Sequence, residues 1–474
     1  MSGSTSVYDF IAGRLEQDPV SFHMPGHKGS QFYRRFGYHD FLDRMVDFDI
    51  TEIAGADNLF QAESVIQAVQ EHYARLYDCK KSYILINGTS GGNIAAILAS
   101  VNKGKRLLMA RNSHKSVFNA LTLGGIRPVY VYPEMIGKYG ISGAVSPSEI
   151  ERLILENPDV QAVMLASPNY YGICSDIRSI ADIAHKYKKA LIVDEAHGAH
   201  LHFCDLLPPS ALRSGADIVI NSTHKTLGSL TQSAALHYNT ELVDPYVLED
   251  KLQCIQSTSP SYILMTSMDI TAKILEQHRD VLMQEWIGNL NAFYERIEKI
   301  PGLRTMGKLE GLDWTKINLT MSDLGLTGSD LDKILTEDYD ICIELFTGDW
   351  IVAMTGIGNT KNDYERLAGA LEDISRKAIA SGPKIHRAGP EKNALTPPKQ
   401  AALFEIPAEL KRVKLADSEG MICGSSIIPY PPGIPLICPG ERIDTDAITY
   451  IKALRDLGEK VIGVNELDEV IVGG

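Results

Sequence analysis

The chain has 474 residues, 44% of them hydrophobic and 22% charged, with a formal net charge of −14. This excludes a wholly disordered chain and argues against nucleic acid as a partner, since a negative field repels phosphate and no Lys/Arg block makes a local exception. The seven cysteines are scattered, with no CxxC pair and no Cys/His cluster at zinc spacing, so neither a disulfide framework nor a metal site is expected. Eighteen apolar residues never occur in succession, and the first residues lack a basic patch followed by an apolar run; a cytoplasmic protein that does not engage the membrane is expected.

In chain order, residues 1–50 read as an N-terminal arm. Apolar side chains at helical spacing (Val65, Ile66, Val69, Tyr73, Leu76, Tyr77) predict a helix over 65–77, and SYILIN over 82–87 predicts a short buried strand. Further strands are expected at 106–110, 129–133, 162–168, 190–195 and 217–222, with helical patterns such as 148–156 and 177–186 between them. Short apolar strands alternating with helices predict an α/β domain over 51–285 with a mostly parallel sheet covered on both faces. After about Arg279 the rhythm changes to a long helical stretch through Ile300, then WTKINLTM, a helix over 329–337 and strands near 341–346 and 350–354. This predicts a smaller α+β domain over 286–380. Pro, Gly and charge concentrate in 381–400, which reads as a linker before a last domain over 401–474.

Three features carry chemistry. GTSGGN at 88–93 follows a strand and opens a helix, a turn that presents backbone N–H groups and the hydroxyls of Thr89 and Ser90 to an anion such as phosphate. It lacks the GK[ST] ending of a nucleotide P-loop, and on its own it is equally plain turn chemistry. LIVDEAHGAH at 191–200 ends a strand in Asp194, Glu195 and His197, where the ligand crevice of an α/β sheet lies. That carboxylate is suited to a metal, a cationic nitrogen heterocycle or base chemistry; a helix cap and a satisfied histidine are the plain alternative. The strand over 217–221 runs into Ser222, Thr223, His224 and Lys225. There desolvation makes a neutral, nucleophilic amine available, against the alternative of a surface lysine. A phosphate cup, an acid and a lysine in one sheet together match what pyridoxal phosphate requires.

At these residues the sequence resembles the bacterial ornithine/lysine/arginine decarboxylases, fold-type I pyridoxal-phosphate enzymes with an aspartate-aminotransferase-like fold. It is most similar to the shorter Gram-positive forms, which lack the amino-terminal receiver-like wing of the long enzymes. The likeness covers nearly the whole chain and includes FHMPGHKG at 22–29, DITEIAGADNL at 49–59, INGTSGGN at 86–93, RNSHKS at 111–116 and SPNYYGICSD at 167–176. It continues through VDEAHGAHLHF, STHKTLGSLTQSA, STSPSY at 257–262 and PYPPGIPLICPGE at 429–441. The resemblance implies Lys225 as the Schiff-base lysine, Asp194 as the partner of the pyridine nitrogen, and His114 as the ring stacked on the cofactor. It further implies Thr89, Ser90, Gly91, Ser222 and His224 around the phosphate, and His197 beside the reacting substrate. Thr258 and Ser259 would reach the phosphate of a neighbouring subunit, which implies a homodimer or higher homo-oligomer. The family often has Asp-Leu-His where this chain reads Asn58, Leu59 and Phe60.

The reaction implied is decarboxylation of a basic amino acid, arginine favoured, with lysine or ornithine as alternatives. Glu441 is the candidate to receive the cationic end of the substrate, since guanidinium and ammonium groups are read best by paired oxygens; a solvated turn residue is the other reading. An aminotransferase or aldolase would share Lys225 and Asp194, but Arg366 and Arg376 lie on expected helices, not where a substrate-carboxylate arginine is usually placed. A cofactor-binding regulator without turnover is the rival of a different class.

Overall fold

The structure, a computed structural model, describes residues 6–137, 139–382, 407, 409–430, 433–456 and 459–474. Its centre is a seven-stranded sheet built from β1 (Lys81–Leu85), β2 (Arg106–Ala110), β3 (Arg127–Val131), β4 (Val160–Ala166), β5 (Ala190–Asp194), β6 (Ile218–Asn221) and β7 (Ala234–Tyr238). The order across the sheet is β1-β7-β6-β5-β4-β2-β3. All neighbours are parallel except β7, which runs antiparallel to both β1 and β6. The expected α/β, aspartate-aminotransferase-like architecture is the one observed, with β7 an antiparallel addition that the strand-and-helix rhythm did not announce.

The strands read as unbroken apolar runs because both faces are covered. Alternate residues still part company: Leu108, Val163, Leu165, Leu191, Val193 and Val219 enter one core, while Leu107, Met109, Met164, Ile192, Ile218 and Ile220 enter the other. Helix α1 (Gly88–Ser100) lies in the second layer. It can approach the sheet so closely because Gly92 has no side chain: a Cβ there would lie 2.6 Å from Leu85 Cδ1 and 2.8 Å from Ile220 Cγ2.

Further along lies helix α2 (Lys115–Gly124), and then α3, a single 36-residue helix from Tyr262 to Ile297. The helix foreseen from about Arg279 therefore begins well before it, and position 285/286 falls inside it. Strands β8 (Arg304–Thr305), β9 (Lys316–Thr320), β10 (Leu345–Thr347) and β11 (Trp350–Met354) form an antiparallel sheet in the order β8-β9-β11-β10, and α4 (Lys361–Ala380) packs along α3. The short strand Val20–Phe22 pairs in parallel with Ile341–Ile343 and delivers the loop of residues 23–29 to the large sheet. Gly26 is clamped there: its N–H donates to the His224 carbonyl at 2.7 Å, and a Cβ would lie 2.4 Å from the Leu227 carbonyl oxygen.

From residue 383 on, the expected linker lies outside the described residues. Beyond it Leu410–Lys414 pairs antiparallel with Glu469–Gly473, and Leu415, Ile427, Ile437, Ile443, Ile451 and Val470 form a separate core.

Candidate active site

Strand ends and helix starts bring the chemistry together. Asp194 closes β5 and is only 6% exposed. Its Oδ1 accepts the Ala196 N–H at 3.1 Å and its Oδ2 accepts from Asn93 Nδ2 at 2.7 Å. Asn93, on α1, also donates to Ser116 Oγ at 3.1 Å, and Ser116 Oγ lies 2.9 Å from His114 Nδ1. His114 caps α2, its Nδ1 accepting the Ser116 N–H, so a side-chain chain spans β5, α1 and α2 and fixes the imidazole. Burial pushes the His114 pKa down to about 4, helped by the Lys225 charge and opposed by that of Asp194. The ring is neutral at physiological pH, and because Nδ1 accepts, its proton sits on Nε2.

Lys225 follows β6 in a half-buried turn. Its Nζ lies 2.9 Å from His197 Nε2, and among the described residues no carboxylate stands within ion-pair distance of it. Burial lowers its pKa and the charge of Lys316 adds to that, against the pull of Asp194 and Glu344. His197 is buried and held well below the usual imidazole range, by desolvation first and then by Lys225. The Tyr170 ring packs on it at 4.9 Å between centroids, and His197 Nδ1 is buried without a hydrogen-bond partner among the described residues. An amine whose burial favours loss of its proton and a neutral imidazole, in contact, constitute a site able to share and move one proton.

The expected anion cup takes shape from two elements. Thr89, Ser90 and Gly91 form the first turn of α1, whose N-cap Asn87 makes no side-chain capping bond. Ser222 Oγ, beyond β6, donates to Thr89 Oγ1 at 3.3 Å. His224 lies beside them with Nδ1 2.7 Å from the Ser233 carbonyl, a geometry that places its proton on Nδ1, and burial pushes its pKa down to about 4. Asp194 and His114 are thus tied through Asn93 and Ser116, His197 touches Lys225, and Ser222 ties the turn that carries Lys225 to Thr89 at the start of α1. Thr258 and Ser259 do not join them within this chain; both are exposed just ahead of α3.

Glu441 does not join them either. It is fully buried, with Oε1 accepting from Tyr130 OH at 2.7 Å, Oε2 accepting the Cys438 N–H at 2.8 Å, and Arg111 Nη2 3.5 Å from Oε2. The same guanidinium donates to the carbonyls of Pro435 and Leu436 and lies over the rings of Phe118 and Tyr130. Sequence reasoning offered Glu441 to a substrate cation; the structure commits it to the chain's own Arg111, anchoring the C-terminal unit on the sheet. Arg111→Ala is expected to destabilise the fold by about 3 kcal/mol, because removing one partner of a buried pair strands the other. Glu441→Gln in the same protein should recover most of that loss, as read by denaturant unfolding.

Several functional residues escaped the sequence. Glu344 is half-buried, its Oε2 accepts the Met24 N–H at 3.0 Å, and among the described residues it makes no ion pair. Its charge acts on Lys225, Lys28 and His23. Lys28, in the clamped loop, donates to the carbonyls of His23 and Met354, and burial pushes its pKa down to about 7. A charged residue inside the apolar strand pattern ICIEL was the one available signal for Glu344. Among the described residues no helix is long and apolar enough to cross a membrane, and no group of three or more His, Cys, Asp or Glu is placed to hold a metal ion.

Residues 5–312 match the model of the Orn/Lys/Arg decarboxylase major domain, and residues 385–467 that of the corresponding C-terminal domain. The chain is 31% identical over 472 residues to an arginine decarboxylase of Bacillus subtilis, covering 97% of this chain and 95% of the relative. It is 31% identical over 477 residues to an arginine decarboxylase of Bacillus anthracis, covering 98% and 95%. In three dimensions it resembles lysine decarboxylase A from Pseudomonas aeruginosa with a TM-score of 0.77 at 20% identity, over 98% of this chain and 80% of that one. By sequence along nearly its whole length, and by a fold that sets a lysine, an aspartate and two neutral histidines at the strand ends, the chain belongs to the Orn/Lys/Arg decarboxylase family of basic amino-acid decarboxylases.

Proposed function

We propose that the protein decarboxylates arginine with pyridoxal phosphate held on Lys225. The observation that carries this reading is that Lys225, whose amine touches His197 and feels the buried Asp194 charge, follows by three residues Ser222, which reaches Thr89 in the first turn of α1. The residues fit the group: Asp194 has no cation within ion-pair distance among the described residues, and His197 Nδ1 is a buried polar atom left unpartnered. Bound pyridoxal phosphate supplies a cationic ring that takes up the electron pair of the breaking Cα–carboxylate bond.

The chain's own residues do the rest. Thr89, Ser90, Gly91, Ser222 and His224 would hold the phosphate, and His114, fixed through Ser116 and Asn93, would lie against the ring. Asp194, oriented by Asn93 and the Ala196 N–H, keeps the ring nitrogen protonated. Lys225 would hold a proton at Nζ for return to Cα, with His197 Nε2 at 2.9 Å as the group that shares it. Tyr170 and the clamped loop of residues 23–29 exclude water from that exchange. Thr258 and Ser259, exposed in this chain, complete the phosphate site of a neighbouring copy, so the working unit is at least a homodimer.

The names of the Bacillus relatives support arginine over lysine or ornithine. We assign the cationic end of the substrate to Glu344, whose carboxylate makes no ion pair among the described residues and suits the two parallel donors of a guanidinium. Glu344→Gln should raise KM for arginine about tenfold to about a hundredfold, the loss of a hydrogen bond between charged groups, while leaving the dissociation constant of the cofactor unchanged. The check is carbon dioxide release from arginine, lysine and ornithine in parallel; an unchanged KM removes Glu344 from the substrate site, and a parent protein that prefers lysine removes the arginine assignment.

A further inference from the structure

Beside the Lys225 pocket lies a buried ionic cluster that the steps above leave unused. Lys316 opens β9 and is 1% exposed. Its Nζ donates to Asp313 Oδ2 at 2.5 Å and to the backbone carbonyl of His197 at 3.0 Å. Asp313 is fully buried; its Oδ1 accepts from Thr315 Oγ1 at 2.6 Å and lies 3.2 Å from His200 Nε2. Burial opposes its charge, but Lys316 and His200 hold it well below the usual carboxylate range.

Taking two such charges out of water is costly, and apolar residues of similar volume serve a core at least as well. The pair therefore calls for a role other than stability, and its contacts indicate one. Among the described residues, Lys316 Nζ has the His197 carbonyl as its one hydrogen-bond partner besides Asp313, and His197 is the residue whose ring touches Lys225. The same stretch of the small domain is stitched to the turn that carries Tyr170: the Asp313 N–H donates to the Gly172 carbonyl at 2.7 Å, the Cys174 N–H to the Gly311 carbonyl at 2.8 Å, and Asn318 Nδ2 to the Tyr171 carbonyl at 2.8 Å. Both faces of the His197 ring environment, its own backbone and the Tyr170 ring, are thus set by where β9 sits.

We infer that Lys316 is a positioning residue: by holding the His197 carbonyl it fixes the imidazole against Lys225 Nζ and makes assembly of the site depend on the seating of the small domain. Asp313 and His200 keep the ammonium aimed. This rests on the assignment of Lys225 and His197 given above.

The test uses the full chain stripped of cofactor. Lys316→Met combined with Asp313→Asn removes the donor without stranding a charge, so the thermal midpoint should stay close to that of the parent. The rate at which the apoprotein captures pyridoxal phosphate, read from the growth of its visible band, and kcat should each fall about tenfold to about a hundredfold, as a misplaced reacting group does, with KM for arginine unchanged. Lys316→Gln keeps an N–H for the carbonyl and should recover most of the capture rate. A folded double variant with parent-like capture and kcat overturns the inference. If the double variant does not fold, Lys316→Gln decides: parent-like capture upholds the donor role, and loss of capture in a folded protein overturns it. A parent that captures no cofactor overturns the assignment of Lys225 as well; a parent that captures it beside variants that do so equally overturns only the role of Lys316.

Discussion

Lys225→Ala is expected to lower kcat on the order of 10⁴-fold or more, since on the proposed reading the residue would both hold the cofactor and return a proton, and a proton-transfer group alone contributes up to about 10⁴-fold. Cofactor dissociation should become faster, and small primary amines added to the assay should restore part of the rate. The loss should not trace to unfolding. Lys225 makes no ion pair among the described residues, and burial depresses its pKa below the ordinary 10.5. The unfolded apoprotein therefore binds more protons at this position than the folded one between the depressed value and 10.5, and stability contributed at this site rises with pH across that window. In unfolding experiments on cofactor-free protein, the parent should gain on Lys225→Ala as pH rises toward 10.5. A difference that does not change with pH would mean that the amine is solvated and not held in the pocket as described.

Asp194→Asn is the second large effect. The carboxylate is buried and already receives the Asn93 amide and the Ala196 N–H, so the replacing amide fills the same space and the fold should persist. What is lost is the charge that, on the proposed reading, would keep a ring nitrogen protonated. At the effective dielectric of a protein site, two unit charges about 4 Å apart interact by roughly 4 kcal/mol, which corresponds to about 10³-fold in rate. The expected result is a kcat lower by about that factor, with the visible band still present but shifted in its response to substrate. A kcat within about tenfold of the parent would remove Asp194 from contact with the ring.

Much of the large domain was legible because its strands are continuous apolar runs, and the candidate residues Asp194 and Ser222 to Lys225 lie at or directly after the end of one. Asp194 after ALIV, and Ser222 to Lys225 after IVIN, are local facts of sequence. The antiparallel strand Ala234–Tyr238 was not legible. It is fully buried and carries His237, which looks polar in sequence but whose Nδ1 is satisfied by Ser82 Oγ at 2.8 Å on the neighbouring strand. The first half of α3 was missed because Tyr262, Met265, Met268, Ile270, Ala272, Ile274 and Leu275 are all buried, which blurs the amphipathic period that marks a helix. The site's supporting contacts were invisible for a different reason. Asp313 and His200 meet across 113 positions, Glu344 and Met24 across 320, and Tyr130 and Glu441 across 311. No spacing rule reaches so far, and Glu441, the candidate to receive a substrate cation, faces Arg111 of the same chain.

The central claim is tested most directly by supplying purified protein with arginine labelled at its carboxyl carbon, with and without added pyridoxal phosphate, and measuring labelled carbon dioxide together with the amine left behind. The account predicts equimolar carbon dioxide and decarboxylated amine, dependent on the cofactor and absent in Lys225→Ala. Labelled carbon that stays in solution while the protein carries lysine-bound cofactor would contradict it.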